Sequence, residues 1–384
     1  MKEVVSSNFK LGIIAGGQLA KMLTQAASCM DIHTSVMDPS SNCPASSTCS
    51  QFFEGDFSSF EDVYNFGKSV DVLTLEFEKV NLDALKKLKE EGVAIYPDPK
   101  HLEVIQDKGL QKMFYHENRI PTSDFGLYDT HDDIKAAIAS GEVSLPFVQK
   151  ARKDGYDGKG VFVVKSESDL ERMLPGPSLL EELVDIEKEL AVIVCKSTDG
   201  QISTFPTVEM EFNSRANLVE FLVCPANVSE FTDEKARAIA EKVVDSMGIE
   251  GILAIEMFLT KSGEILVNEV APRPHNSGHH TIEGTITSQY QQHLRSILGM
   301  PLGSTEITLP SVMINILGED GYEGAVKYDK LKDCLAISGA YFHLYGKSWT
   351  KPFRKMGHAT ILDRDIDTAK EKAREIQKTL KVIA

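Results

Sequence analysis

Three short apolar runs in the first hundred residues each end on a residue with chemistry to offer. The run at 11–15 closes on Gly16-Gly17, that at 34–37 on Asp38, and that at 70–75 on Glu76. Between and after them, Leu19, Met22, Leu23 and Ala26, then Leu82, Leu85 and Leu88, recur at the intervals of an amphipathic helix. A further strand is expected over 93–96. This alternation predicts a parallel sheet with helices on its faces. Ligands gather at the carboxyl ends of such strands, where Gly16, Gly17, Asp38 and Glu76 stand.

Tyr96-Pro97-Asp98-Pro99 breaks the rhythm and reads as a hinge. Beyond it the spacing predicts helices over 107–117 and 132–139 and a strand over 146–150. The strand pattern resumes at 161–165, so the intervening Asp154-Gly155-Tyr156-Asp157-Gly158-Lys159-Gly160 is the tip of a hairpin. Another strand at 178–180 leads into Glu181-Glu182-Leu183-Val184. A helix over 233–247 precedes strands at 251–259 and 264–269, joined by a turn at 261–263. After Pro301 come short strands at 311–317, 340–344 and 358–362 and a closing helix over 367–380. No internal repeat or low-complexity region is visible.

Composition narrows the partners. In 384 residues, 57 Asp and Glu against 41 Lys and Arg leave a formal charge of −16, which argues against broad binding to nucleic acid. A local basic cleft for an anionic small molecule remains compatible with that balance. The six cysteines contain no C-x-x-C pair, so no zinc knuckle or thiol-redox motif is suggested, and a reduced, cytoplasmic chain is expected. Residues 1–10 are polar and show no signal peptide, and no apolar stretch approaches the ~20 residues that span a bilayer.

Four constellations stand out. Gly16-Gly17-Gln18 opens a helix and offers free N–H groups to an anion, although Gly12, Gly16, Gly17 and Ala20 do not spell the dinucleotide fingerprint. The glycine hairpin lets backbone N–H groups approach a polyphosphate, with Lys150 before it and Lys159 within it. On the acidic hairpin, period two puts Leu253, Ile255, Met257 and Leu259 on one face and Glu256 on the other. On the return strand the same rule groups Glu269 with Ile265 and Val267 and turns Asn268 the opposite way. Hard oxygen ligands of this kind bind Mg²⁺ together with substrate phosphates, and Arg273 and His275 follow. Last, Lys347, Lys351, Arg354, Lys355 and His358 form a local reversal of charge suited to a monophosphate.

Together these residues resemble the ATP-grasp fold and, within it, the 5-(carboxyamino)imidazole ribonucleotide synthetase family of purine biosynthesis. The resemblance is carried by Gly16-Gly-Gln-Leu19, Lys150 with Gly155-Tyr-Asp-Gly-Lys-Gly160, Glu181 with Glu189, Glu256, Asn268-Glu-Val-Ala-Pro-Arg-Pro-His-Asn-Ser-Gly278, Ser288-Gln289 and Arg354-Lys-Met-Gly-His358. It implies a mixed α/β and α+β chain in three parts. These are a Rossmann-like parallel-sheet domain over 1–100, a two-lobed ATP-grasp domain over 101–304 with a mobile lobe near 122–182, and a small β-rich C-terminal domain over 305–384. It implies a homodimeric ligase that uses ATP, two Mg²⁺ ions and bicarbonate to carboxylate 5-aminoimidazole ribonucleotide through carboxyphosphate.

The resemblance also assigns roles. Lys108, Lys150 and Gly155, Tyr156, Asp157, Gly158, Lys159, Gly160 and Val161 would touch the ATP phosphates. Glu181, Glu182, Leu183, Val184 and Glu189 would hold adenine and ribose. Glu256 and Glu269 would carry the metal, with Asn268 beside them. Tyr156, Asp157, Arg273 and His275 would line the carboxyphosphate and amine pocket. Gly17, Gln18, Glu76, Asn276, Ser277, Lys347, Arg354 and Lys355 would bind the ribonucleotide. Two departures are visible: Ala15 and Ala20 replace glycines of the first loop, and Lys108 stands where Arg is usual, losing the bidentate fork. Alternatives stay open here. One is another ATP-grasp ligase such as the formate-dependent glycinamide ribonucleotide transformylase, against which Tyr156-Asp157 speaks. The others are a nicotinamide dehydrogenase on residues 1–100 and a non-catalytic nucleotide sensor.

Overall fold

The computed structural model describes residues 4, 6, 8–153, 155, 160–213 and 218–384. Its first unit is a five-stranded parallel sheet of order β3-β2-β1-β4-β5, formed by β1 (Leu11–Ile14), β2 (Thr34–Asp38), β3 (Gln51–Glu54), β4 (Val72–Leu75) and β5 (Ala94–Tyr96). β1 and β4 are buried along their whole length because helices cover both faces. Those helices are α1 (Gln18–Ser28), α2 (Phe60–Gly67), α3 (Leu82–Glu90) and α4 (Pro99–Ile105). The strand–helix unit β3–α2 was not expected from the sequence. β3 is short and lies at the sheet edge, half-exposed, so it carries no apolar run.

A second unit begins with α5 (Lys108–Glu117), whose N-cap Asp107 accepts from the N–H groups of Gly109 and Leu110. The strands β6 (Phe125–Tyr128), β7 (Phe147–Ala151), β8 (Val161–Val164) and β9 (Ser178–Glu182) form a separate antiparallel sheet of order β6-β9-β7-β8, backed by α6 (His131–Ser140). β7 and β8 are hydrogen-bonded partners, so the glycine segment does join two antiparallel strands.

The large sheet comprises β10 (Ile186–Lys196), β11 (Ile202–Thr204), β12 (Val208–Asn213), β13 (Leu218–Cys224), β14 (Gly251–Thr260) and β15 (Ile265–Ala271), and it continues into β16 (Ser311–Leu317). β17 (Gly324–Ala325), β18 (Lys327–Asp329) and α10 (Leu331–Cys334) then lead to β19 (Ala340–Leu344), β20 (Trp349–Thr350), β21 (Lys355–Leu362), α11 (Ile366–Thr379) and β22 (Lys381–Ile383). The order β15-β14-β10-β12-β13-β16-β21-β19 makes the C-terminal strands an extension of the central sheet. α7 (Glu230–Met247) packs Ala236, Ile239, Ala240, Val243 and Val244 on the inner face of β10 and β14. α8 (Thr281–Gly284) and α9 (Gln289–Ile297) lie on the other side, and Tyr290, Leu294 and Ile297 of α9 share a core with Leu19, Met22 and Leu23 of α1. That shared core fixes the first sheet's carboxyl ends near the large sheet.

Candidate active site

The acidic hairpin turns on one irregularity. Glu256 pairs directly with Glu269, whereas Met257 pairs with Val267, so Asn268 is an extra residue on β15. A bulge of this kind reverses the alternation of side chains beyond it. Val267 and Val270 both enter the hydrophobic core, while Glu269 turns out beside Glu256. Strict period two therefore fails here: Glu269 does not share the face of Ile265 and Val267. The bulge is what brings the two carboxylates opposite each other.

Cations converge on the pair. Lys108, at the start of α5, contacts Glu269, and Lys150 on β7 donates to Asn268 Oδ1 at 2.7 Å. Burial favours the neutral acid at Glu269, but Lys108 and Lys150 outweigh it and hold the carboxyl below its ordinary value. Glu256 goes the other way, raised by burial and then by the negative charges of Glu269 and Glu189. Burial also pushes Glu189, on β10, up to about 7. Burial pulls Lys108 down, but Glu269, with Glu181 and Glu256 behind it, leaves it raised overall.

Glu181 is buried between two lysines, with Lys112 and Lys150 each 2.5 Å from one of its oxygens. Burial opposes ionisation, yet these neighbours bring Glu181 down to about 2. Its carboxylate is thus engaged by protein cations and by Ser123 Oγ, which donates at 2.8 Å. Glu182, Leu183 and Val184 lie at the junction between β9 and β10, with Glu182 and Leu183 exposed. Lys112 was not anticipated from the sequence. The one signal is its place on the buried side of α5 with Gly109 and Tyr115.

The loop after β15 is held from beneath. Gln289, fully buried at the start of α9, accepts from the His275 N–H at 2.9 Å and donates to the His275 carbonyl at 2.8 Å. A Cβ on Gly278 would lie 2.4 Å from Gln289 Oε1, so only glycine lets this clamp close. His275 Nε2 stands 3.5 Å from Glu256 Oε1, and His275 Nδ1 is 2.9 Å from Ser277 Oγ. Arg273 Nε pairs with Glu78 at 2.7 Å, a partner from the end of the first sheet that the sequence had not singled out. Asn276 and Ser277 form a 3₁₀ turn in which the buried Asn276 Nδ2 has no hydrogen-bond partner among the described residues.

Elements far apart in the chain supply the rest. The Gly17 and Ala20 N–H groups donate to the two oxygens of Glu76, each at 2.9 Å, and Gly16 N–H donates to Asp38 at 2.8 Å. Glu76 therefore closes the N-terminus of α1, so the Gly16 and Gly17 N–H groups, expected to be free for an anion, are taken by protein carboxylates, and Gln18 is half-buried. Ala15 adopts a left-handed φ of 69°, a conformation that glycine takes more cheaply. In the C-terminal part, Lys347 Nζ donates to the Lys355 carbonyl at 2.8 Å, and Arg354 donates to the Trp349 carbonyl at 2.5 Å. Lys355 acts electrostatically on Glu256, so the start of β21 lies within reach of that carboxylate's field. His358 parts from the basic group: it is fully buried, stacked between His279 and His343. Gly155 and Gly160 approach each other at the hairpin base and Val161 is exposed, but Tyr156, Asp157, Gly158 and Lys159 lie outside the described residues.

Two facing carboxylates with an amide oxygen alongside fit a hard cation that completes its shell with phosphate oxygens.

A parallel-sheet unit, a separate four-stranded lobe and a large antiparallel sheet enclosing lysines and paired acids define an ATP-grasp ligase. Residues 113–290 match the ATP-grasp domain model, 9–106 the ribonucleotide synthetase preATP-grasp domain and 311–372 the phosphoribosylaminoimidazole carboxylase C-terminal domain. The crystal structure of N5-carboxyaminoimidazole ribonucleotide synthetase from Thermotoga maritima is 45% identical with a TM-score of 0.90, covering 98% of this chain and 99% of that one. The Aspergillus clavatus N5-carboxyaminoimidazole synthase in complex with ADP and 5-aminoimidazole ribonucleotide is 32% identical, TM-score 0.87, over 96% and 98%. The chloroplastic phosphoribosylaminoimidazole carboxylase of Vigna aconitifolia is 40% identical over 93% of this chain, which spans 65% of that relative's length. The chain belongs to the N5-carboxyaminoimidazole ribonucleotide synthetase family.

Proposed function

We propose that this chain catalyses ATP-dependent carboxylation of 5-aminoimidazole ribonucleotide with bicarbonate. A bicarbonate oxygen attacks the γ-phosphorus of ATP, giving carboxyphosphate and ADP. Carboxyphosphate breaks to phosphate and CO₂, and the exocyclic amine adds to CO₂ and loses a proton, leaving the N-carboxylate. Bicarbonate is a poor electrophile, and phosphorylation gives it a leaving group. Phosphoryl transfer is won by positioning and charge neutralisation, which is what the lysines and acids here supply.

The observation that carries the reading is the facing pair Glu256 and Glu269 with Lys108, Lys150, Asn268 and His275 around it. Lys108, Lys150 and the glycine hairpin take the phosphates, and the backbone of 181–184 with Glu189 takes the nucleoside. Glu256 and Glu269 would hold Mg²⁺, which when bound neutralises phosphate charge. Arg273 and His275, with Tyr156 and Asp157 of the hairpin, line the pocket where the amine is carboxylated. Lys347, Arg354 and Lys355 take the ribonucleotide phosphate, near the loop at Gly17-Gln18 and Glu76. A cytoplasmic homodimer is the expected setting. ADP release with ribonucleotide and bicarbonate each omitted in turn is the test. Dependence on both is expected. Stimulation by glycinamide ribonucleotide plus formate, with no response to 5-aminoimidazole ribonucleotide, overturns the reading.

A further inference from the structure

Lys112 has no part in the roles assigned so far, yet its side chain is 2% exposed and sits at the root of the charge network. Its Nζ pairs with Glu181 Oε1 at 2.5 Å, donates to Ser123 Oγ at 3.0 Å and contacts Thr122 Oγ1. Thr122 Oγ1 donates in turn to the Val267 carbonyl at 2.7 Å. The other oxygen of Glu181 takes Lys150, which reaches on to Asn268. The series Lys112, Glu181, Lys150, Asn268 therefore runs from α5 through the four-stranded sheet to the bulge of β15.

Charge balance gives this series a direction. With Lys150 as its single cation, Glu181 would form a neutral pair, and Lys150 would be held to it. With Lys112 added, the trio carries one net positive charge. The surplus falls on the outer member: the Lys150 side chain is 11% exposed against 2% for Lys112. A buried ammonium is tolerated only when it is paired in this way.

We propose that Lys112 is a positioning residue, the buried counter-ion of Glu181 that leaves the charge of Lys150 for the nucleotide phosphates. Its bonds to Thr122 and Ser123 also fix the chain where it enters the four-stranded sheet. The proposal rests on the placement of Lys150 at the phosphates given above. The charged groups facing Lys112 are Glu181 of β9, Lys150 of β7 and Lys108 one turn back on α5. Burial pulls its ammonium down to about 8 against the opposing pull of Glu181. Above that pH, Glu181 is left with Lys150 as its cation.

ATP affinity of the full chain, measured calorimetrically with Mg²⁺ and with neither ribonucleotide nor bicarbonate present, tests this. K112M is expected to bind about tenfold more weakly than wild type at pH 7, the scale of one weakened charge-assisted contact. Other acids of the site change charge over the same range in both proteins, so the pH series is read as the ratio of the two Kd values, which are expected to converge by pH 9 as wild-type Lys112 loses its proton. In K112M/E181Q the pull on Lys150 is gone, and affinity returns towards wild type. A merely structural Lys112 would leave the double variant no better than the single one. K150M is the control. If K150M is weakened while K112M matches wild type, or the double variant shows no recovery, the role of Lys112 is overturned and that of Lys150 stands. If K150M binds like wild type, both fall. Should K112M not fold, the double variant and K150M decide, and a double variant that binds no more tightly than K150M overturns the proposal.

Discussion

Glu256 and Glu269 carry opposite perturbations although they face each other on neighbouring strands. Lys108 and Lys150 keep Glu269 ionised, whereas burial and the charge of Glu269 raise Glu256. Two negative charges that close stay ionised together only beside added positive charge. Glu269→Gln removes one charge and keeps the shape. ADP release is expected to fall by about 100-fold or more, the scale of losing one group that stabilises transition-state charge. The melting temperature should move by no more than about 4 °C, since this partly exposed side chain adds little packing. Near wild-type turnover would remove Glu269 from the metal site. These two acids were legible from sequence because a carboxylate ending an apolar strand is conspicuous. Lys112 was not, because a lysine in a helix reads as solvent-facing until Glu181, 69 positions later, is placed beside it.

The bulge in β15 decides the site at the level of elements. Period two applied to 264–269 buries Glu269 with Val267, and Asn268 is the residue that breaks the pattern. Deleting Asn268 should remove the bulge and leave regular alternation, with Val267 and Val270 still in the core and Glu269 still opposite Glu256. The variant should fold with little change in urea unfolding, and ADP release should fall by about tenfold, the scale of losing the charge-assisted contact from Lys150 to Asn268. A loss of ADP release of about 100-fold or more would show that the acidic pair needs the bulge itself. No local pattern announces such a bulge, because it is defined by the partner strand. The elements with strong periodicity, β1, α1, α5 and α7, fall where the spacing placed them. The short edge strand β3 does not stand out.

At the level of the whole molecule, the C-terminal strands lengthen the central sheet and bring Lys355 near Glu256. Lys355→Ala is expected to raise the KM for the ribonucleotide about tenfold with little change in that for ATP, the loss of one charge-assisted phosphate contact. An unchanged ribonucleotide KM would take Lys355 out of the phosphate site. The same junction is packed by imidazoles. His279, from the loop before α8, stacks on His358 of β21 at 4.6 Å, and His343 of β19 stacks on its far side at 4.5 Å, paired with Glu283. Burial holds His279 and His358 well below their ordinary value, His280 and His101 at about 4 and His293 at about 3. Below pH 6.5 the unfolded chain binds these protons and the folded chain does not, so stability falls with pH. Each site removes up to about 2 kcal/mol by pH 5. Glu76, Glu189 and Glu256, raised chiefly by burial, act in the opposite sense, but the five histidines outnumber them. The melting temperature of the ligand-free chain should drop between pH 7 and pH 5, and a flat profile would contradict the buried neutral stack.

The amino-acid sequence alone determined the parallel-sheet start, the glycine hairpin, the acidic strand ends and the membership that their order signals. Those features are written in periodicity and residue type, which act over a few positions. Tertiary structure alone decided that Glu269 turns to face Glu256, that Lys112 is buried against Glu181, and that His358 leaves the basic cluster for the core. Each of those depends on a partner strand or counter-charge brought close only by folding.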